Sequence, residues 1–356
     1  MSGDPGVRVP QALVDAVAAS QPAAADGRRA GAARPEVAVV MATYRRPELL
    51  RRCLEALLAQ SFAADAYEIV VVDDGRTDDT RELVEAFAAR SGGAPALRYL
   101  RPLDTRGPAG ARNRGWRATA APLVAFTDDD TVPDRDWLLE GHRAMTPDRV
   151  AVSGAVIVPV DGAPTDHAKM TQGLEAAEFV TANAFVRRDA LLAVGGFDER
   201  FTRAWREDSD LHFSLLERGG TVVRAPAAKV LHPVRPAPWG ISLGQQANVY
   251  FDALLYKKHR RLYLQKVRSR PPWHYFVIVG STLAAPAALA AGAPAAAAAF
   301  GATALAGFAG FAAYRLAGTS RAPRHVVEMV VTSFAIPFLA TWWRVAGALR
   351  FRALFP

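Results

Sequence analysis

The chain is poor in cysteine, with one residue, Cys53, among 356. A single thiol excludes an intramolecular disulfide and cysteine-rich zinc sites. Cys53 falls inside an amphipathic helical pattern and reads as a small core residue. Acid is scarce in the C-terminal third. Beyond Asp252 there are 13 Lys/Arg and one acid, Glu328, whereas residues 1–252 carry 30 Lys/Arg against 34 Asp/Glu. The net charge of +8 therefore belongs to one end of the chain, and nucleic acid is not an expected partner. Charge of either sign is absent from Pro271 to Tyr314, a run of 44 residues. Such a run exceeds one membrane span of roughly 20 residues and fits two. Residues 1–35 lack an apolar stretch of signal-peptide length and are rich in Ala, Pro, Gly and Arg. They are expected to be a disordered segment with a short helix around 11–19, and the bulk of the protein is expected to stay cytoplasmic.

From residue 36 onward, strand and helix patterns alternate. "EVAVVMAT" (36–43), "YEIVVVDDG" (67–75), "ALRYLRP" (96–102) and "PLVAFTDDD" (122–130) read as strands. Residues 47–60, 79–90 and 108–120 have helical spacing between them. This alternation predicts an α/β fold with a mainly parallel sheet flanked by helices. Ligands of such sheets bind beyond the carboxyl ends of the strands. Those ends carry Thr43, Asp73, Asp74 and the triplet Asp128–Asp130. Strands are expected again at 150–159, 182–188 and 221–232, a helix at 207–218, and one long helix over 242–264. The expected divisions are a catalytic unit at 36–240, a basic juxtamembrane linker at 241–270 and a membrane region at 271–356.

Within that region two spans are expected at about 274–292 and 295–314, turning at "AGAP". The flank 257–270 holds seven basic residues and no acid, and Arg315, Arg321 and Arg324 follow the hairpin. Positive charge on both sides places both flanks in the cytoplasm. The last apolar run, 326–343, reads equally as a third span or as a re-entrant or surface-lying segment, with Trp342 and Trp343 suited to an interface.

Four motifs carry chemistry. Carboxylates packed as tightly as Asp128, Asp129 and Asp130 repel one another unless solvated or paired with a cation. A divalent ion held by Asp128 and Asp130 against a diphosphate is one reading; a solvated turn leading into the cap chemistry of "TVPDRDWL" is the other. Asp73 and Asp74 in "VVVDDGRTDDT" can accept hydrogen bonds from a base N–H or ribose hydroxyls, while Asp78 and Asp79 suit a helix cap. "RGPAGARNRG" (106–115) opens a helix with exposed N–H groups and Arg112, which suits phosphate as well as an ordinary loop. In "WREDSDLHFSLLERG" (205–219), Glu207, Asp208 and Asp210 open a helix, where acids are favoured by the dipole and where one can serve as a general base.

Together, "VVMATYRRPELL", "VVVDDGRTDDT", "GPAGARNRG", "VAFTDDDTVP", "VGGFDERF" and "REDSDL" resemble, in order and spacing, the family 2 glycosyltransferases of GT-A fold. The resemblance covers roughly residues 36–235. It implies a nucleotide-sugar donor, inversion at the anomeric carbon, and Mn²⁺ or Mg²⁺ as cofactor. Thr43 and Tyr44, with Asp73 and Asp74, would hold the nucleoside. Asp128 and Asp130 would form the D-x-D metal motif, with Asp129 beside them at the donor. Asp208 would be the base, next to Glu207, and Trp205 would lie on the acceptor side. Arg112 would bring positive charge to the leaving group. His232 in "KVLHP" matches a histidine near the diphosphate or metal, or else caps a strand end. Two positions depart from the family: Arg45 stands where Asn is usual, and Arg206 stands where Gly is frequent before the acidic pair. The Gln-x-x-Arg-Trp motif of processive members is absent, so a single sugar is expected to move per encounter. The expected acceptor is a lipid-linked or cell-envelope glycan, reached by a cytoplasmic catalytic unit on a multi-pass cell-membrane anchor. Alternatives are a polyprenyl-phosphate glycosyltransferase, a membrane-bound nucleotidyltransferase and a non-catalytic scaffold.

Overall fold

Valine-rich runs build the centre of the sheet. In the computed structural model, which describes residues 34–102 and 107–356, β1 (Val37–Thr43), β2 (Tyr67–Asp73) and β4 (Leu123–Thr127) are buried almost throughout. They do not alternate between apolar and polar because helices cover both faces. β3 (Ala96–Leu100) completes the parallel half. The expectations of a disordered N-terminal segment and of a helix at 11–19 lie outside the described residues.

The remaining strands are β5 (Val132–Pro133), β6 (Arg149–Ile157), β7 (Asn183–Arg187) and β8 (Thr221–Leu231), giving the order β3-β2-β1-β4-β7-β6-β8-β5. β1, β2, β3 and β4 pair in parallel; β7 runs antiparallel to both β4 and β6. This is the mixed, mostly parallel sheet expected for a GT-A fold. Register sets the site: Thr43 lies opposite Asp73, and Val40 opposite Phe126, so β1, β2 and β4 end at one edge.

The flanking helices are α1 (Pro47–Leu58), α2 (Asp78–Arg90), α3 (Pro108–Arg117), α4 (Trp137–Ala144), α5 (Asp166–Ala176), α6 (Arg188–Val194) and α7 (Glu207–Glu217). Cys53 is a fully buried core residue of α1.

The long helix expected over 242–264 is broken. The chain forms α8 (Ile241–Gln245), a single 3₁₀ turn, α9 (Val249–Lys258) and α10 (Arg260–Lys266). His259 leaves helical geometry at φ −128° and ψ 51°. Its ring reaches back to Asp210 and Glu217 of α7, at 3.1 and 2.8 Å. That tertiary pull outweighs the local helical pattern.

Three apolar helices follow: α11 (Trp273–Ala290), α12 (Pro294–Leu316) and α13 (Pro323–Phe351). Each is long and apolar enough to cross a membrane. The turn between α11 and α12 falls at 291–293, within "AGAP". The 326–343 run belongs to one unbroken helix of 29 residues. At 1.5 Å per residue it extends about 43 Å, beyond the roughly 30 Å of a hydrocarbon core.

Candidate active site

The carboxyl ends of β1, β2 and β4 bring the strand-end residues together. Asp129 turns inward, where it accepts the Thr43 hydroxyl at 2.7 Å and the Arg46 guanidinium at 3.1 Å. Burial pushes its carboxyl up to about 6, against the charge of Arg46. Asp128 and Asp130 meet His232. Their carboxylates and the imidazole of His232, just past β8, offer ligand atoms all within 4.8 Å of one another. Two carboxylate oxygens and one imidazole nitrogen form a donor set that could hold a divalent cation. The Nδ1 of His232 is buried without a hydrogen-bond partner among the described residues. Arg235 Nε lies 3.0 Å from Asp130, and Arg46 lies 3.9 Å from it. The sequence pattern marks neither arginine, although Arg46 stands in "TYRR" and Arg235 follows His232 by three residues.

Arg112 is the second surprise. It is only 3% exposed. Its guanidinium donates to Asp128 Oδ1 at 2.7 Å and to Glu207 Oε1 at 3.0 Å. It therefore joins the strand-end carboxylates to the acidic pair. α3 is held in place by Asn113, which donates to Phe197 O and accepts from Phe197 N at 2.8 and 2.9 Å. The "GGF" loop thus packs onto the first turns of α3.

Glu207 is buried, and Asp208 is half-buried. Burial first, then the charge of Asp208, push the Glu207 carboxyl up to about 7 against the pull of Arg112. Burial also raises Asp208. For Asp128, burial acts upward, but Arg112, His232 and Arg46 together outweigh it and hold the carboxyl below its ordinary value.

The two aspartates at the end of β2 differ. Asp73 is fully buried; its carboxylate accepts from the N–H groups of Gly75 and Thr77 and from the Tyr99 hydroxyl, at 2.9, 2.8 and 2.9 Å. It closes the turn into α2, and both of its oxygens accept hydrogen bonds there. Asp74 accepts only from Gly107 N–H, at 2.8 Å, and its Oδ1 has no partner among the described residues. Gly107 is required there: it has φ +91°, and a Cβ would meet the Thr202 carbonyl at 2.5 Å. Tyr44, next to Thr43 in sequence, is 51% exposed, and Arg45 lies over its ring. Trp205, expected on the acceptor side, spends its indole N–H on Asp252 of α9 at 3.1 Å.

Both departures from the family pattern fall on left-handed backbone: Arg45 has φ +53° and Arg206 φ +74°. Asn and Gly are the residues that tolerate this conformation best.

Residues 38–205 match the glycosyl transferase family 2 profile, and residues 123–317 match that of glycosyl transferase family group 2. Glycosyltransferase AglE of Haloferax volcanii is 26% identical over 214 residues, covering 57% of this chain and 68% of that protein. The succinoglycan biosynthesis protein ExoO of Rhizobium meliloti is 29% identical, covering 56% of this chain and 61% of ExoO. The pre-mycofactocin glycosyltransferase of Mycobacterium tuberculosis is 30% identical, covering 58% and 44%. Among solved structures, the mannosyltransferase PcManGT of Pyrobaculum calidifontis, in complex with GDP-Man and Mn²⁺, superposes with a TM-score of 0.53 at 22% identity, covering 90% of this chain and 88% of that one. This last likeness is one of fold. The family group match alone spans more than half of the chain, and the chain belongs to the family 2 glycosyltransferases. That membership argues against the nucleotidyltransferase and scaffold alternatives.

Proposed function

We propose that this protein is a metal-dependent, inverting glycosyltransferase. It moves one sugar from a nucleotide-sugar donor to a lipid-linked or cell-envelope glycan at the cytoplasmic face of the membrane. The observation that carries the reading is the meeting of Asp128, Asp130 and His232 with the Glu207–Asp208 pair across a single guanidinium, that of Arg112.

Asp128, Asp130 and His232 would hold Mn²⁺ or Mg²⁺. When bound, such an ion supplies Lewis-acid charge to a donor diphosphate. The chain's own groups account for the rest. Asp74 Oδ1 is the spare acceptor for a base N–H or a ribose hydroxyl, and the exposed ring of Tyr44 offers a stacking face. Thr43 and Asp129 brace each other and set the direction of the triplet. Asp208 takes the proton from the acceptor hydroxyl as its oxygen bonds to the anomeric carbon and the bond from that carbon to the diphosphate breaks. A positioned base of this kind contributes about 10²–10⁴-fold in rate. Arg112, paired with Glu207, also pulls the Asp208 carboxyl down and offsets part of the rise that burial imposes.

A narrower reading places the acceptor's phosphate at the membrane boundary. A surface recess of about 390 Å³ is lined by Leu264–Arg270, directly before α11. Its Arg268 and Arg270 favour a polyprenyl phosphate as acceptor, while Lys266 there pairs with Glu178 at 2.7 Å.

Thermal shift of the full-length protein in detergent tests the main reading. The panel is UDP-, GDP- and dTDP-sugars, each with and without Mn²⁺; GDP-mannose, the ligand of PcManGT, belongs in it. One class of donor is expected to raise the melting temperature, and only with metal. No shift from any donor overturns the proposal.

A further inference from the structure

We propose that Asp252 is a positioning residue for transfer: from α9 it holds Arg206 in a left-handed turn and so aims the Glu207–Asp208 pair. The proposal rests on the reading of that pair as the catalytic one.

Arg206 precedes the pair directly and caps α7 with φ +74°. A non-glycine residue in that conformation is strained and persists only where its surroundings over-determine it. Here the surroundings are specific. Asp252 is 5% exposed. Its Oδ1 accepts from Arg206 Nε at 2.8 Å and from Trp205 Nε1 at 3.1 Å. The Arg206 guanidinium also lies over the Trp205 ring, 4.8 Å from its centroid. The carbonyl of Arg206 then accepts from Asp210 N–H at 2.8 Å, which starts the helix. One carboxylate thus grips two consecutive residues immediately before Glu207.

Asp252 is itself fixed. Its neighbours Phe251, Leu254 and Leu255 are buried in an apolar cluster with Phe201 and Phe213. The carbonyl of Tyr250 abuts Gly347 of α13 so closely that a Cβ there would come within 2.5 Å. The Tyr250 ring meets Phe351 edge-on at 5.1 Å. The turn that carries the base is therefore set from an apolar C-terminal helix, through α9. Lys258 and His259 add a second grip on the same helix by pairing with Asp210.

The test is a rescue. Arg206→Gly accepts the left-handed turn without help, so it should make Asp252 dispensable. Turnover is measured on the full-length protein with Mn²⁺, using water as acceptor and the sugar nucleotide selected by the melting panel. Asp252→Ala is expected to lower kcat about 10-fold or more, as misplaced groups do, with the donor KM within about twofold. Arg206→Gly with Asp252→Ala is expected to recover to within about threefold of Arg206→Gly alone. Should Asp252→Ala fail to fold, Asp252→Asn keeps the shape and the Trp205 bond, and the same rescue applies to it. A double variant as slow as the Asp252 variant, or a loss confined to KM, overturns the proposal while leaving the transferase reading intact. A wild-type protein that turns over no sugar nucleotide sinks both.

Discussion

Arg112 and Glu207, 95 positions apart, form a buried ion pair at 3.0 Å, and the other arm of the same guanidinium holds Asp128. Two carboxylates of different motifs thus share one cation. Removing one partner of a buried pair leaves charge uncompensated and costs about 3–5 kcal/mol. Arg112→Met is therefore expected to lower the melting temperature sharply, and Arg112→Lys less, since an ammonium can keep one of the two contacts. A methionine variant that melts like wild type would show that the pair does not hold the site together.

On the proposed mechanism the acidic pair should divide its labour between stability and turnover. Asp208→Asn should leave the melting temperature nearly unchanged and lower kcat by roughly 10²–10⁴-fold, the range for a lost general base. Glu207→Gln should do the reverse in emphasis, costing stability because Arg112 loses a charged partner. Burial raises the Asp208 carboxyl. Turnover should accordingly fall as pH drops through a value above that of an ordinary aspartate. If Glu207→Gln proves the slower enzyme with an unchanged fold, the base is Glu207.

Metal dependence has its own variant. Asp130→Ala removes one member of the Asp128, Asp130 and His232 group and also frees Arg235. Mn²⁺ binding followed by electron paramagnetic resonance should weaken by at least tenfold, on the order of one lost ligand contact. Unchanged Mn²⁺ affinity would remove Asp130 from the ligand set.

Local pattern made much of this legible. The apolar runs of β1, β2 and β4 and the acids that end them are readable because strand periodicity and strand ends are properties of neighbouring residues. The Arg112 bridge is not, since its partners lie 16 and 95 positions away. Asp73 and Asp74 look alike in sequence, and only the turn geometry separates the spent carboxylate from the one with an oxygen to spare. The unusual Arg206 was visible as a departure, but its partner Asp252 lies 46 residues on and in another helix. The break at His259 was hidden because helical periodicity runs through it.

His259 offers a pH test of that break. Burial alone would depress the imidazole, but its bonds to Asp210 and Glu217 outweigh burial and raise it above the ordinary value of 6.5. A histidine raised on folding contributes stability that is fully present below its unfolded pKa and is lost as pH rises through the folded one. Melting temperatures of wild type and His259→Gln should therefore differ most at acidic pH. The gap should close as pH rises above the imidazole's raised value. A gap that widens with pH would mean that the ring is held neutral.

The membrane reading makes the last prediction. The full-length protein should sediment with membranes and resist alkaline carbonate extraction, because α11, α12 and α13 are each long and apolar enough to span. Removing them is not expected to leave an untouched catalytic unit. Arg315 at the end of α12 is buried and donates to Asp166 of α5 at 2.8 Å and to Ser242 of α8 at 3.1 Å. Glu328 of α13 accepts from Gly240 N–H at 2.7 Å, and Phe351 and Phe355 pack on the cluster around Tyr263. Truncation after residue 266 would strip all of these and expose the Tyr250 face of α9. Such a protein should be released from membranes, yet melt lower than the full chain and self-associate through the new apolar face. Light scattering and melting of the truncated protein read both effects. A monodisperse fragment with the full chain's melting temperature would show that these helices anchor the catalytic unit without supporting it.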